Sequence, residues 1–309
     1  MKNQITFSQA LEGYFLHADA RRLSPHTIAD YTNIFRKFQA FLGDDPPIAE
    51  ITADQVRTFL ASCDHLSKKT LLNYHTGLSA LWTWAVSEDL VEQHILRRVI
   101  RPKPEEPAIK PYTRDDIEAM LAVCSYTQPH TMRGKHNSRR SRPTALRDRA
   151  IIKTLVDTGI RASELCKITI ADMDKRNKRI FIWGKGAKER TVYIDGSTPQ
   201  TIWRYLATRP DACPDDPLFV TQEGHPLTRH ALRLLIGRLG RRAGIPHASV
   251  HRFRHTFAIN FLRNGGNAYT LQRLLGHSTL KMVKTYLALA GQDDSDNHRR
   301  ASPIANWQL

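Results

Sequence analysis

A proline-rich segment divides this chain into two parts and so limits the folds open to it. Residues 101–111 contain four prolines, together with lysine and glutamate. Proline at this density cannot form a helix, because its ring fixes φ and removes the backbone donor that a helix needs. We therefore expect an N-terminal domain over residues 1–100, a linker at 101–111, a larger domain over 112–290 and a tail at 291–309.

The first hundred residues have the pattern of a small helical domain. Ser24, followed by proline, is a good helix start, and apolar residues recur at helical spacing from there to Gly43. Thr52 and Gln55 have the spacing of a capping box, and a further helix is expected to begin near Ser67. The aromatic stripe that follows Ser67 predicts a packed core rather than a base-stacking surface.

Helices also dominate the larger domain, with one clear β element. Residues 179–183 and 190–194 are rich in β-branched and aromatic side chains, and they flank a glycine-containing loop at 184–188. That arrangement predicts a hairpin. The expected fold class is therefore mainly α with a small β-hairpin or sheet, in which a helical N-terminal domain precedes an α+β domain.

The positive charge of the chain lies in its second part. The formal net charge is +16: residues 1–105 contain twelve Lys and Arg against twelve Asp and Glu, and residues 106–309 contain thirty-four against eighteen. Such a field favours a polyanionic partner, most often nucleic acid, and a merely soluble basic protein is the alternative. The stretch 125–144 has seven Lys, Arg and His residues and no acid, and a solvated loop is favoured there over a DNA contact.

The spacing of the cysteines and the pattern of apolar residues limit the kinds of site expected in this chain and its expected location. The four cysteines are far apart and lack the spacing of zinc ligands, which argues against a zinc site and against a disulfide framework. The N-terminus has no apolar signal stretch, and no run approaches the length of a membrane span. We therefore expect a cytoplasmic protein that does not act at a membrane.

Residues 224–292 contain eleven Lys and Arg residues and no Asp or Glu. Mg²⁺ and Ca²⁺ prefer carboxylate oxygens, so this segment is poorly suited to hold them. Arginine presents fixed donors that match phosphate oxygens two at a time, so the segment is well suited to hold a phosphate. The pattern favours metal-free chemistry on a phosphodiester and disfavours a metal-dependent nuclease.

Phosphodiester exchange needs a nucleophile, donors for the non-bridging oxygens and a proton for the leaving oxygen. The candidates, in chain order, are Arg161, Lys185, His251, Arg254, His277 and Tyr286. His251 and Arg254 are three apart on one expected helix, so their side chains share a face. Glu164, three residues after Arg161, can orient its guanidinium. Singly, each candidate has a common structural explanation, such as packing for a tyrosine near a helix end.

Five motifs taken together resemble the tyrosine recombinase (phage integrase) family. They are Thr-Gly-Ile-Arg-Ala-Ser-Glu-Leu at 158–165, Gly-Lys-Gly-Ala-Lys-Glu-Arg at 184–190, His-Arg-Phe-Arg-His-Thr at 251–256, Leu-Gly-His-Ser at 275–278, and Tyr286 nine residues after His277. The resemblance implies a helical core-binding domain followed by the α+β catalytic domain of that family over 112–290. The tail is similar to tails of Xer-like integrases, which often dock on a neighbouring subunit.

The resemblance implies a metal-free, two-step transesterification on DNA, with no cofactor. Tyr286 attacks the scissile phosphate to give a 3′-phosphotyrosyl bond and a free 5′-hydroxyl, and a 5′-hydroxyl from a partner strand reverses the step. Lys185 would protonate the leaving 5′-oxygen, with Lys188 as the alternative. His251 would act as acid and base at the Tyr286 hydroxyl. The sequence has no GxxxxGKS/T nucleotide loop, and storage of the bond energy in the covalent intermediate makes one unnecessary.

The same resemblance implies how the phosphate and the DNA are held. Arg161 and Arg254 would clamp the non-bridging oxygens, and His277 would hydrogen-bond the phosphate. The expected DNA contacts are Lys68, Lys69, Lys188, Arg190 and Arg252. The implied partners are double-stranded DNA at specific recombination sites, a homo-tetramer of the chain on paired sites, and an accessory directionality factor.

Three questions stay open at this point. A type IB topoisomerase-like enzyme would use similar residues but relaxes supercoils without strand exchange. A non-enzymatic DNA-binding regulator would not need all six candidate residues. The biological role, whether phage integration, transposon mobility or chromosome dimer resolution, does not follow from the residues.

Overall fold

The chain folds into two compact units. The computed structural model describes residues 5–105, 108–126, 141–184, 189–277, 279–291, 302 and 304. The first unit spans Met1–Ala108 and the second spans Ile109–Leu309. The division between them lies inside the segment predicted to be the linker.

The first unit is helical. Its helices are α1 (Phe7–Ala20), α2 (Pro25–Leu42), α3 (Ala53–Ser62) and α4 (Lys68–Ser87). The Ser24 hydroxyl accepts from the backbone N–H of Thr27 at 3.2 Å and so caps α2, which ends at Gly43 with φ 78°. Thr52 and Gln55 form the predicted capping box of α3. The predicted helix boundaries are confirmed. They could be predicted because each capping signal acts within four residues.

Aromatic side chains fill the core of the first unit. Phe7, Phe38 and Trp82 have no exposed surface. The rings of Phe7 and Phe38 meet edge to face with centroids 5.6 Å apart, and Phe38 and Trp82 do so at 6.3 Å. Such contacts add to the free energy of burying the rings. The expectation that the aromatic stripe of α4 packs into a core is confirmed.

The second unit combines helices with a small antiparallel sheet. Its elements are α5 (Arg114–Cys124), α6 (Ala145–Thr158), α7 (Ala162–Leu165), β1 (Met173–Asp174), β2 (Arg179–Trp183), β3 (Glu189–Tyr193), α8 (Thr198–Leu206), α9 (Arg229–Arg242), α10 (Val250–Arg263), α11 (Ala268–Leu275) and α12 (Lys281–Ala290). The strand order is β1-β2-β3, and Ile180 pairs with Val192. The predicted hairpin is β2 with β3, and β1 is an additional strand that the sequence did not predict.

Helix α6 lies at the centre of the second unit and leads into the candidate site. Its residues Ile151 and Leu155 are fully buried, and it packs against α8 and α10. The helix ends at Gly159, whose φ is 60°. A Cβ on this residue would lie 2.6 Å from the Phe257 ring, so only glycine fits the turn. The turn places Arg161 directly before α7.

The ends of the basic stretch 125–144 are tied together. Tyr126 and Ser141 form an isolated antiparallel bridge. Next to the bridge, Arg142 donates to the carboxylate of Asp148 at 2.7 Å. Asp148 has no exposed surface, so this ion pair, which Arg147 completes at 2.8 Å, compensates a buried charge.

Some of the predicted residues lie outside the described part of the chain. These are Lys185, Lys188, residues 127–140, and the tail except residues 291, 302 and 304. Among the residues that the structure describes, no helix is both long and apolar enough to span a membrane.

Candidate active site

Three arginines meet at the C-terminal end of α11. The consecutive backbone carbonyls of residues 274–276 each accept a hydrogen bond from a different one. Nε of Arg190 is 2.8 Å from the first carbonyl, Nη2 of Arg254 is 2.7 Å from the second, and Nη2 of Arg161 is 3.2 Å from the third. The last carbonyls of a helix have no partner within it and carry partial negative charge, which favours cations there.

Arg254 is held by two helix ends at once. Its Nη1 donates to the carbonyl of Gly159, at the end of α6, at 3.0 Å. Only 2% of the residue is exposed. Burial lowers the pKa of Arg254 to about 10, and the nearby cation Arg161 contributes to that decrease. The guanidinium is therefore still cationic at neutral pH, and its orientation is fixed before any ligand arrives.

Glu164 is the buried carboxylate that connects two of these arginines. It accepts from Nη1 of Arg161 at 2.8 Å, and from Nη1 and Nη2 of Arg190 at 2.9 and 2.7 Å. Burial alone would raise the pKa of Glu164, but the hydrogen bonds and charges of Arg190 and Arg161 outweigh it and lower the pKa to about 2. The contact between Glu164 and Arg161 that their spacing predicted is present.

The site has more positive than negative charge. The three guanidinium groups of Arg161, Arg190 and Arg254 share the single carboxylate of Glu164, which leaves an excess of two charges. The side chain of Arg161 is 43% exposed, so part of its donor edge faces solvent. This arrangement can bind the oxygens of a phosphate.

Arg190 is enclosed by contacts within the protein. All three of its side-chain nitrogens donate to Glu164 or to the α11 carbonyl, and its side chain is only 13% exposed. In this structure Arg190 holds Glu164 and the end of α11, and its DNA contact stays a prediction. The contacts join residues 26 and 84 positions apart, and no local pattern in the sequence indicates them.

Arg252 is also occupied within the protein. Its guanidinium lies 4.2 Å from the centroid of the Tyr112 ring, and it donates to the carbonyls of Lys110 at 2.9 Å and Pro246 at 3.1 Å. Its side chain is 18% exposed. These contacts anchor the start of the second unit on α10, and the DNA contact of Arg252 stays a prediction.

Two histidines line the site beside Arg254. His251, on the first turn of α10, keeps an exposed edge, and its pKa is lowered by partial desolvation of the ring and by Arg254 and Arg161. His277 directly follows α11, and burial with Arg254 and Arg161 lowers its pKa to about 4. Nδ1 of His277 is buried and has no hydrogen-bond partner among the described residues. A ligand could reach that nitrogen only if the groups that cover it move.

Tyr286, on α12, lies under these side chains and has no exposed surface. Its ring stacks on His277 with centroids 6.4 Å apart, and burial raises the pKa of its hydroxyl. The hydroxyl is 2.9 Å from Nδ1 of His255. Among the described hydrogen bonds this hydroxyl is paired with His255 and not with His251, whose role as acid and base at Tyr286 stays a prediction.

His255 is a residue of the site to which the sequence motifs assigned no role. It lies within the motif at 251–256. It follows His251 by four residues on α10, and this spacing places both rings on one helix face, with centroids 4.4 Å apart. Spacing alone could therefore have indicated a second histidine on the face of α10 that carries His251.

Two of the predicted DNA-contact residues belong to the first unit. Lys68 and Lys69 are exposed in the first turn of α4, where Lys68 pairs with Glu105 at 3.0 Å. Their DNA contacts stay predictions. Within the described ranges, no three His, Cys, Asp or Glu side chains are grouped so that they could hold a metal ion.

Comparison with known families agrees with this arrangement. Residues 112–293 match the model of the phage integrase family, and residues 11–89 match that of the phage integrase N-terminal SAM-like domain. The chain belongs to the phage integrase family. The family assignment confirms the recognition made from the five motifs, and with it the predicted class of enzyme, a tyrosine-type site-specific recombinase.

Individual relatives cover most of the chain. It is 28% identical to the tyrosine recombinase XerC of Bacillus subtilis (strain 168) over 277 residues, which are 86% of each protein. The Tn1549 transposon integrase in complex with circular intermediate DNA has TM-score 0.72 and 21% identity, over 94% of this chain and 98% of that one. The lambda integrase tetramer on a Holliday junction has TM-score 0.75 and 16% identity, over 94% and 80%. These structures confirm the predicted fold class.

Proposed function

We propose that this chain cuts and rejoins duplex DNA at specific sites, with Tyr286 as the covalent nucleophile. The observation that carries the proposal is the convergence of Arg161, Arg254 and His277 beside Tyr286, with an excess of two positive charges. A phosphodiester carries one negative charge, and the five-coordinate state formed during attack carries two. The charge of the site therefore matches the state that must be stabilised.

Arg161, Arg254 and His277 would bind the non-bridging oxygens. Arg161 is the most exposed of the three and would contact the phosphate first. The buried Arg254 would supply donors whose positions are already fixed. The unpartnered Nδ1 of His277 supports its role as a further contact to the phosphate. His251, with its exposed edge close to both arginines, would contact the same group rather than the nucleophile.

Lys185 would protonate the leaving 5′-oxygen, with Lys188 as the alternative. Both lie outside the described residues, but Arg190, two positions after Lys188, is hydrogen-bonded at the edge of the site. That proximity along the chain supports the assignment. A general acid at this step typically contributes about 10²–10⁴ in rate.

The burial of Tyr286 has a mechanistic consequence. Its hydroxyl has no exposed surface, so it cannot bond to phosphorus in this conformation. DNA binding would have to shift α12 away from α11 and His277, which help to cover the tyrosine, while α12 keeps its packing on α10. Because α12 is short and follows a tight turn at Gly276, whose φ is 64°, such a movement would not require the core of the unit to unfold.

The working form would be a homo-tetramer on paired DNA sites. The lambda integrase neighbour was solved as a tetramer bound to a Holliday junction, which supports four copies acting on two duplexes. A cytoplasmic location, an accessory directionality factor and a mobile-element role are further parts of this proposal, and they follow from the DNA substrate and the family rather than from the geometry.

Covalent capture tests the proposal even though the DNA site is unidentified. The chain is incubated in excess EDTA with a nicked duplex library of random sequence, and DNA that stays attached in detergent is sequenced. We expect adducts on a defined sequence, with mass spectrometry placing the nucleotide on Tyr286. Tyr286→Phe should bind the selected duplex and form no adduct. Adducts from that variant, or none from the native chain, would overturn the proposal.

Strand exchange separates a recombinase from a topoisomerase. Two labelled duplexes that carry the selected site are mixed with the chain. Four-way junctions and recombinant duplexes are expected. Relaxation of a supercoiled plasmid without any such product would support a topoisomerase instead.

A further inference from the structure

We infer that His255 is a positioning residue for the nucleophile: its Nδ1 accepts the hydrogen bond of the Tyr286 hydroxyl and fixes the direction in which that oxygen points. The inference rests on the proposed function of Tyr286 and extends it to a residue outside the catalytic set of the resemblance. The role at this hydroxyl that the motif gave to His251 passes to His255.

The contact is specific in its geometry. Nδ1 of His255 lies 2.9 Å from the Tyr286 oxygen, and the two rings meet edge to face with centroids 5.6 Å apart. The residues are 31 positions apart, on α10 and α12, which pack against each other. The distance is that of a full hydrogen bond rather than of an incidental contact.

The direction of this hydrogen bond follows from burial. The Tyr286 side chain has no exposed surface, and within the described part of the chain its hydroxyl has no other hydrogen-bond partner. A buried phenol must donate its proton to some acceptor, or the group is left unpaired at considerable cost. Nδ1 of His255 is therefore the acceptor, and the ring proton is on Nε2.

The surroundings keep His255 in the neutral form that can accept. The His251 ring lies on the same helix with its centroid 4.4 Å from that of His255, and the positive charge of Arg254 also acts on His255. Burial, then His251 and Arg254, lower the pKa of His255 to about 4. At neutral pH its Nδ1 lone pair is free to accept, whereas a protonated ring would have lost that lone pair.

The inference predicts an effect on rate rather than on DNA binding. Attack requires the tyrosine oxygen to approach phosphorus along one line, and small misplacements of a reacting group cost up to about 10² in rate. If His255 sets that line, its loss slows the covalent step and leaves the affinity for DNA unchanged, because His255 itself does not contact the phosphate.

Asparagine and glutamine form a matched pair for the experiment. The Asn side-chain oxygen can occupy the position of Nδ1, whereas the longer Gln side chain places its polar atoms near the position of Nε2. On the duplex selected by covalent capture, His255→Asn should form adducts within about threefold of the native single-turnover rate. His255→Gln should be slower by about 10- to 100-fold. Both should bind the duplex like the native chain, and His230→Asn, an exposed histidine on α9, is the control.

A modified substrate shows at which side of the phosphorus His255 acts. Sulfur in place of the bridging 5′-oxygen is a good leaving group without a proton, so it restores variants that lack a general acid. His255→Gln should stay slow on this duplex. Restoration to the native rate would place His255 at the leaving group and overturn the inference.

Other outcomes also decide the matter. Equal rates for His255→Gln and the native chain, or an Asn variant as slow as Gln, would overturn the inference, provided that thermal unfolding shows both variants folded. If one variant fails to fold, the other variant is compared with the native chain on duplexes with and without the 5′-sulfur. That comparison still tests the inference. In all these cases Tyr286-dependent adducts persist, so the proposed function stands. Absence of adducts from the native chain would remove both.

Discussion

Glu164 accepts a hydrogen bond from each terminal nitrogen of Arg190, at 2.9 and 2.7 Å, across 26 positions of sequence. The same carboxylate holds Nη1 of Arg161, and Arg190 in turn holds the carbonyl of Leu274. One buried acid thus connects α7, β3 and the end of α11. Arg161 faces solvent, but its orientation depends on contacts that are shielded from solvent.

Replacement of Glu164 should lower stability in a pH-dependent way. The folded pKa of about 2 lies below the ordinary 4.5, so the contribution is complete above pH 4.5 and is lost as pH falls toward 2. At about 1.4 kcal/mol per pKa unit, Glu164→Gln should lower the free energy of unfolding at pH 7 by about 3 kcal/mol. Urea unfolding at pH 7 and pH 3 measures this, and the difference from the native chain should shrink at pH 3.

The control for Glu164 is Glu118→Gln. Glu118 forms an exposed pair with Arg114 at 2.7 Å, with the two side chains 58% and 88% exposed. Exposed pairs contribute little, so this change should have a small effect at either pH. Equal effects of the two substitutions would contradict the assignment of Glu164 as the connecting acid.

Arg254→Lys should reduce the rate of adduct formation by about 10²–10³, the typical cost of losing one preorganised donor. A lysine ammonium cannot span the carbonyls of Gly159 and Leu275, which hold the two ends of the guanidinium. Single-turnover kinetics on the selected duplex measures the loss. Arg263→Lys, at the exposed end of the same helix, should react at the native rate.

Salt dependence distinguishes a DNA contact from a structural arginine. If exposed Lys69 contacts a phosphate, Lys69→Gln should reduce the slope of log affinity against log salt by about 0.9. Arg252→Gln should leave the slope unchanged and lower the melting temperature, because Arg252 holds Lys110 and Tyr112 within the protein. A reduced slope for Arg252→Gln would restore its predicted DNA contact.

The free energy of unfolding should fall as pH decreases from about 6.5 to about 4. His255 and His277 both have pKa values near 4 in the folded chain, below the ordinary 6.5, so the unfolded chain takes up protons first in this window. Melting temperatures at pH 7.0, 5.5 and 4.5 test this expectation. His277→Asn should show a smaller decrease, and an equal decrease would mean that His277 is not held neutral.

Chemical nitration can report the burial of Tyr286, the proposed nucleophile. Tetranitromethane should modify Tyr193 and Tyr269, which are 61% and 67% exposed, and should spare Tyr286 in the free chain. With the slow Arg254→Lys variant bound to the selected duplex, Tyr286 should become reactive. Peptide mass spectrometry reads each site, and reactivity of Tyr286 without DNA would show that the covered state is not the resting one.

Sequence predicted the elements whose signals are local. The Ser24 cap, the stop at Gly43 and the hairpin of β2 with β3 each depend on residues a few positions apart. Strand β1 was not predicted, because a strand of two residues has no periodicity that the sequence could reveal. It forms through its pairing with β2.

In the candidate site, too, the local contacts could be predicted and the long-range contacts could not. The pair of Arg161 and Glu164 could be predicted because three residues separate them on one turn. Which histidine meets Tyr286 could not, because that depends on how α12 packs on α10. Arginine is equally ambiguous: the same residue type faces solvent at Arg161 and is enclosed at Arg190 and Arg252.

Because residues 274–276 each accept a hydrogen bond from a different arginine, the three arginines of the candidate site share one support. A shift of this short segment would break one hydrogen bond to each of Arg161, Arg190 and Arg254 at the same time. Substitutions at these arginines should therefore be strongly non-additive. Because the three arginines share this support, it disfavours a site that has lost only one of them and that could break a strand without resealing it.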